Sequence, residues 1–167
     1  MKRLAGYLLI PALLLAVALS PLCVTQEKNL TVLNVSGELF VFSTNLYDAI
    51  EFEAANETEI KKLFDTSPRI CFAFSNESAE DNAYFTVVGF NTVYKIVRYY
   101  SLQGVKKEIR VCDDEPRVLV LGPHSGAKTN SISLVNETII LQATDYQKLK
   151  EGGDKLVLIV LGVESLE

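Results

Sequence analysis

The chain has 167 residues, 49% of them hydrophobic and 22% charged, a balance that excludes low-hydrophobicity disorder and is long enough for one compact domain. Its formal net charge is −5, and with Lys2 and Arg3 set aside 14 basic residues face 21 acidic ones. The only local basic concentration, Lys106 and Lys107 with Arg110, is too small to release the counterions that nucleic-acid binding needs, so no nucleic-acid partner is expected.

Met1-Lys2-Arg3 places positive charge ahead of Leu4 to Leu19, a run with no charged residue and rich in Leu, Ala, Ile and Val. That is the n-region and h-region of an export segment over residues 1–24, which leaves 25–167 as a single extracytoplasmic domain of roughly 145 residues. Three fates of the segment stay open. Ala16-Val17-Ala18 offers the small residues that a signal peptidase reads. Cys23, closing the apolar run, stands where a lipoprotein carries its lipidated cysteine, although Leu22 and Pro21 depart from that pattern. Leu4 to Val24 is also long enough for an uncleaved anchor, since about 20 residues cross a bilayer. The membrane, through residues 1–24, is therefore an expected partner.

In chain order, Leu30 to Val35 and Glu38 to Phe42 are β-branched and aromatic runs split by Ser36-Gly37, which predicts a hairpin. Asn56 or Thr58 caps a short helix with Ile60, Leu63 and Phe64 on one side, ended by Asp65-Thr66-Ser67-Pro68. Ile70 to Phe74 reads as a strand and Ser75 to Asn82 as an acidic loop. Tyr84 to Phe90 has strand composition, whereas Val93, Ile96, Val97 and Tyr100 have helical spacing, so a strand and then a helix from Asn91 to Leu102, ended by Gly104, are expected. Glu108 to Cys112 and Arg117 to Leu121 are strands, and Ile132 to Val135 with Thr138 to Gln142 is a second hairpin. Asp145 to Gly162 is either one helix interrupted by Gly152-Gly153 or a helix followed by a strand. The sum predicts an α+β domain: a single mixed or antiparallel sheet with two or three helices packed on one face.

Five Asn-X-Ser/Thr sequons, at Asn29, Asn34, Asn56, Asn76 and Asn136, fit an extracellular surface that a host can glycosylate, although Asn also clusters in turns for its own hydrogen-bonding reasons. The three cysteines make an odd count for an exported protein. If Cys23 is lipidated or removed, Cys71 and Cys112 remain, both on strand-like runs, and an oxidising compartment favours their pairing over two free thiols.

Gly122 to Thr129 follows a strand and invites comparison with a phosphate-binding loop, but Ala127 stands where the second glycine is required and Asn130 to Val135 has strand composition. No nucleotide and no cofactor are therefore expected. The loop retains two glycines, a proline, the only histidine and a nearby lysine, so His124, Ser125 and Lys128 are the preferred ligand-contact residues. A triad built on His124, oriented by Asp113, Asp114 or Asp145, has no supporting nucleophile-elbow pattern, and no catalytic residue is assigned. The acidic clusters Glu77 to Asn82 and Asp113 to Glu115 lack EF-hand spacing, and no metal ligand set is assigned. Tyr94, Tyr99, Tyr100, Phe85 and Phe90 are expected chiefly in the core, with at least one of Tyr99 and Tyr100 at the surface because neighbours on a helix cannot both face inward.

Arg117 to Ala127, Ile139 to Gln142 and Asp154 to Gly162 together resemble the C-terminal half of small uncharacterised cell-surface proteins and lipoproteins of hyperthermophilic archaea. The resemblance implies an envelope location and no particular activity. The expected function is thus a membrane-tethered or secreted interaction or ligand-binding module of the cell envelope, engaging an envelope protein or ligand. The alternatives are an extracytoplasmic hydrolase using His124 and a structural subunit of a surface assembly.

Overall fold

The computed structural model of the chain describes residues 30–74 and 78–166. The export segment with Cys23 and the sequon residues Asn29 and Asn76 lie outside the described residues.

The chain opens with the hairpin of β1 (Val32–Val35) and β2 (Glu38–Val41), which stands apart from the main sheet. Its turn residues Ser36 and Gly37 both have positive φ, a combination that matches the right-handed twist of the flanking strands. Helix α1 (Leu46–Glu51), capped by the Asn45 side chain, leads to β3 (Glu53–Ala54) and α2 (Glu57–Thr66), which turns Ile60 and Phe64 into the core. Then come β4 (Arg69–Phe74), α3 (Ala79–Leu102), β5 (Glu108–Val111), β6 (Arg117–Leu121), β7 (Ser131–Val135), β8 (Thr138–Gln142) and α4 (Tyr146–Leu161). The main sheet has the order β3-β7-β8-β6-β4-β5. Strands β4, β5, β6 and β8 run parallel, β7 is antiparallel to β8, and β3 pairs with β7 in parallel.

Strand alternation sorts the sheet into two faces. Pairing register places Phe72, Val118 and Ile139 in one row and Val120, Leu141 and Ile132 in the next, and all six are buried beneath the helices. The opposite face carries Leu119 and Ile140, both half-buried, with Arg117 and Gln142. The fold is α+β with a mixed sheet and its helices on one face, as the sequence predicts; the short α1 brings the helices to four.

Two segments depart from their sequence reading. Tyr84 to Phe90 is no strand but the second and third turns of α3. Its aromatic and β-branched composition is overridden by helical periodicity, with Phe85, Val88, Gly89, Thr92, Ile96 and Tyr100 all buried, and by a start signal in which Ser78 Oγ accepts from Asp81 N–H. Gly152-Gly153 does not interrupt the last element, since α4 runs through it without a break. A Cβ on Gly152 would lie 2.9 Å from Phe52, and one on Gly153 would lie 2.7 Å from Val88 of α3. The pair is therefore a site of close approach, and it lets residues 151–160 be buried on every side.

The core of the helical layer holds an ion pair. Lys95 of α3 meets Asp154 of α4 at 3.1 Å, with both side chains almost wholly buried. The other oxygen of Asp154 accepts from Ser43 N–H, Thr44 N–H and Thr44 Oγ1 at 2.8 to 2.9 Å. Two helices and the loop after β2 are thereby fastened to one carboxylate.

Cys71 and Cys112 form a disulfide, with Cα atoms 5.1 Å apart. Strands β5 and β6 flank β4 on opposite sides, so residues 112–116 must cross it, and they do so at the level of Cys71. Cys71 N–H donates to Pro116 O and Cys112 N–H to Phe72 O, so the bridge pins this crossing on the face turned away from the helices.

Candidate functional site

The strand order creates a divergence at the carboxyl ends of the parallel strands. From β4 the chain passes through α3 to β5 on one side, and from β6 it passes to β7 and β8 on the other. Between the ends of β4 and β6 the connections part, which in open α/β sheets is where ligands bind. The Gly122 to Thr129 loop ends β6 at this point, beside the start of α3 and the start of α4.

One carboxylate organises it. Asp81, in the first turn of α3 and fully buried, accepts from His124 N–H at 3.0 Å through one oxygen and from Tyr146 O–H at 3.1 Å through the other. Segments following β4, β6 and β8 are thus joined at a single side chain. Tyr146 stacks on Tyr84, and burial first, with the Asp81 hydrogen bond second, pushes its hydroxyl up to about 12, so it remains a proton donor to Asp81 at neutral pH.

The three sequence-predicted contact residues are brought to one loop but not to one role. Ser125 is buried, and its hydroxyl accepts from Gly122 N–H at 2.8 Å, so it builds the turn and is not presented to a ligand. The His124 side chain is 54% exposed, and its Nε2 lies 3.4 Å from Glu80 Oε2. Lys128 is exposed on the same loop, and its N–H donates to Gln142. Ser125 and Asp81 do not form a triad with the His124 ring, because the Ser125 hydroxyl is turned to backbone and Asp81 binds the His124 amide instead of its ring. Asp114 faces Arg69, at the beginning of β4 and hence the far end of the sheet.

Gly122 is constrained by space and Gly126 by backbone. A Cβ on Gly122 would fall 2.7 Å from the Asp81 carboxylate, whereas Gly126 adopts φ +95° in open surroundings. Gly122→Ala is expected to lower stability by about 1–3 kcal/mol through this clash, and Gly126→Ala by about 1–2 kcal/mol through left-handed strain. Thermal melts of both variants measure this. A Gly122→Ala protein that melts like the wild type would show that Asp81 does not clasp the loop.

The described sequon residues Asn34, Asn56 and Asn136 are all exposed. Asn56 and Asn136 occupy the left-handed region and Asn34 Oδ1 accepts from Gly37 N–H, so turn geometry gives each residue a structural role of its own.

A larger feature was not anticipated from the sequence. Between α3 and edge strand β5 runs a groove of about 640 Å³, floored by Phe72, Phe74 and Phe85 and walled by Val93 and Val97 on one side and Ile109 on the other. Around its mouth stand Phe90 (78% exposed), Tyr94 (64%) and Val111 (77%). Of the aromatic set, Phe85 and Tyr100 are core and Tyr99 is half-buried, so the residues at the surface are Phe90 and Tyr94. Tyr100 donates to Asp65, and burial followed by that bond raises its hydroxyl well above the usual range. The available signal was helical once α3 was known to begin at Ala79: residues 86, 90, 93, 94 and 97 share the stripe next to the core stripe. Val111 is uncovered at the outermost strand of the sheet, β5.

No protein-family model, no curated protein and no solved structure matches this chain.

Proposed function

We propose that this chain is an exported module of the cell envelope, tethered or secreted, that acts by binding another macromolecule through the groove between α3 and β5. The observation that carries this reading is the cluster of Phe90, Tyr94 and Val111, uncovered around an apolar groove of about 640 Å³. Large apolar side chains gathered at the surface of a soluble domain mark interaction sites. The loop geometry weighs against the hydrolase, since the Ser125 hydroxyl beside His124 is bound to the backbone of Gly122. Export is supported by the apolar leader reading and by the Cys71–Cys112 bridge, which oxidising compartments sustain. Among the described residues no helix is long and apolar enough to cross a membrane. The resemblance to archaeal surface proteins points the same way.

A photoreactive phenylalanine at position 90 of the full-length chain, irradiated in living cells, tests the proposal. A protein adduct is expected from position 90, and it should disappear when Val111→Asp is added. No adduct from position 90, together with one from position 128, would transfer the function to the His124 loop.

A further inference from the structure

We infer, building on the reading of this groove as a binding surface, that its occupant is a second copy of the chain, joined β5 to β5 about a two-fold axis. Strand β5 is an edge of the main sheet. Glu108 N–H donates to Pro68 O and Cys112 N–H to Phe72 O, so these residues turn their backbone to β4. Strand alternation then leaves the N–H and C=O groups of Ile109 and Val111 directed outward, a template for a further strand.

The side chains select one antiparallel register. With the axis through Ile109, that residue faces its own counterpart and the two exchange both backbone hydrogen bonds. Glu108 then lies opposite the partner's Arg110, and Arg110 opposite the partner's Glu108, in the close, non-hydrogen-bonded positions where cross-strand pairs interact most strongly. Glu108 and Arg110 are already ion-paired along the strand and both remain exposed, so both are available for a four-member network. Moving the axis to Arg110 would set two arginines face to face, which like-charge repulsion disfavours. Charge complementarity and backbone parity therefore agree on the same register.

The apolar face completes the fit. Val111 shares a row with Phe72 on the helix side of the sheet. A two-fold axis normal to the sheet keeps both copies of α3 on that side, antiparallel, so Phe90 and Tyr94 of each copy project into the groove of the other. The interface is isologous and closed, and it removes the exposed edge.

The test uses the full-length chain carrying the photoreactive phenylalanine at position 90. The expected adduct has twice the mass of the chain. Arg110→Glu should reduce its yield on the order of ten-fold or more, because two glutamates then oppose each other across the axis. Combining Glu108→Arg with Arg110→Glu should restore it, since the pairs are only exchanged. Thermal melts confirm that these exposed changes leave the fold intact. An adduct with a different protein, unaffected by Arg110→Glu, would overturn the second copy while leaving the groove as a binding surface. Absence of any adduct would overturn both, and failure of the double swap to restore a yield lost in Arg110→Glu would overturn the β5 pairing.

Discussion

Asp154→Ala is expected to destabilise the domain by about 3–5 kcal/mol, because it leaves an uncompensated ammonium in the interior. The partners of Lys95 are the Asp154 carboxylate and the ring of Phe42, 5.0 Å away. Asp154 is in a different position, since three further donors from Ser43 and Thr44 remain to it if the lysine is removed. The two halves of the pair should therefore be unequal. Lys95→Met removes a charge and leaves a carboxylate still solvated by neutral donors, so its loss should be clearly the smaller. Urea unfolding of both variants decides the matter. Equal losses would mean that the energy resides in the pair itself and not in how each ion is solvated without the other.

The elements that were legible in the sequence are those whose local signals agree with their surroundings. The first hairpin follows from Ser36-Gly37, which takes positive φ at both turn positions, and the second from the alternating runs around Asn136-Glu137. Helix α2, the strands β4 to β8 and the Cys71–Cys112 pairing follow in the same way. The first half of α3 was hidden because strand propensity and helical period disagree in Tyr84 to Phe90, and packing on β4 settles the contest. Gly89 belongs to that packing, for a Cβ there would come within 2.8 Å of Phe74. Likewise, the sequence carries no local sign that Gly152-Gly153 serves helix approach, because the reason lies on Phe52 and Val88, elements distant in the chain.

The candidate site was legible in part. Glycines and a proline do mark the Gly122 to Thr129 loop, and the fold sets it where the β4 and β6 connections diverge. Sequence reasoning missed the Asp81 clasp, since the residue sits in what read as an acidic polar loop and its partners are 43 and 65 positions away. The groove was missed for a related reason. Its aromatic residues count as core by composition, and only the position of β5 at the sheet edge leaves Phe90, Tyr94 and Val111 uncovered.

Removing the Cys71–Cys112 bridge is expected to lower stability by about 4 kcal/mol, the chain-entropy value for cysteines at a sequence separation of 41. That loop contains all of α3 and β5, so in the unfolded chain the bridge restrains both walls of the groove. In the folded chain it holds the crossing of residues 112–116 over β4, and two backbone hydrogen bonds flank it there. Intact mass with and without reductant should differ by two hydrogens, and Cys71→Ala/Cys112→Ala should melt well below the oxidised wild type. Local loss should precede global loss. Strand β5 is short and, within one chain, lies at the edge and is paired on one side only, so amide exchange at Glu108 and Arg110 should accelerate before exchange in β6 or β8. An absent mass difference would refute the bridge. A mass difference without faster exchange in β5 would show that the backbone bonds to Phe72 and Pro116 hold the crossing unaided, and that the disulfide acts on the unfolded chain alone.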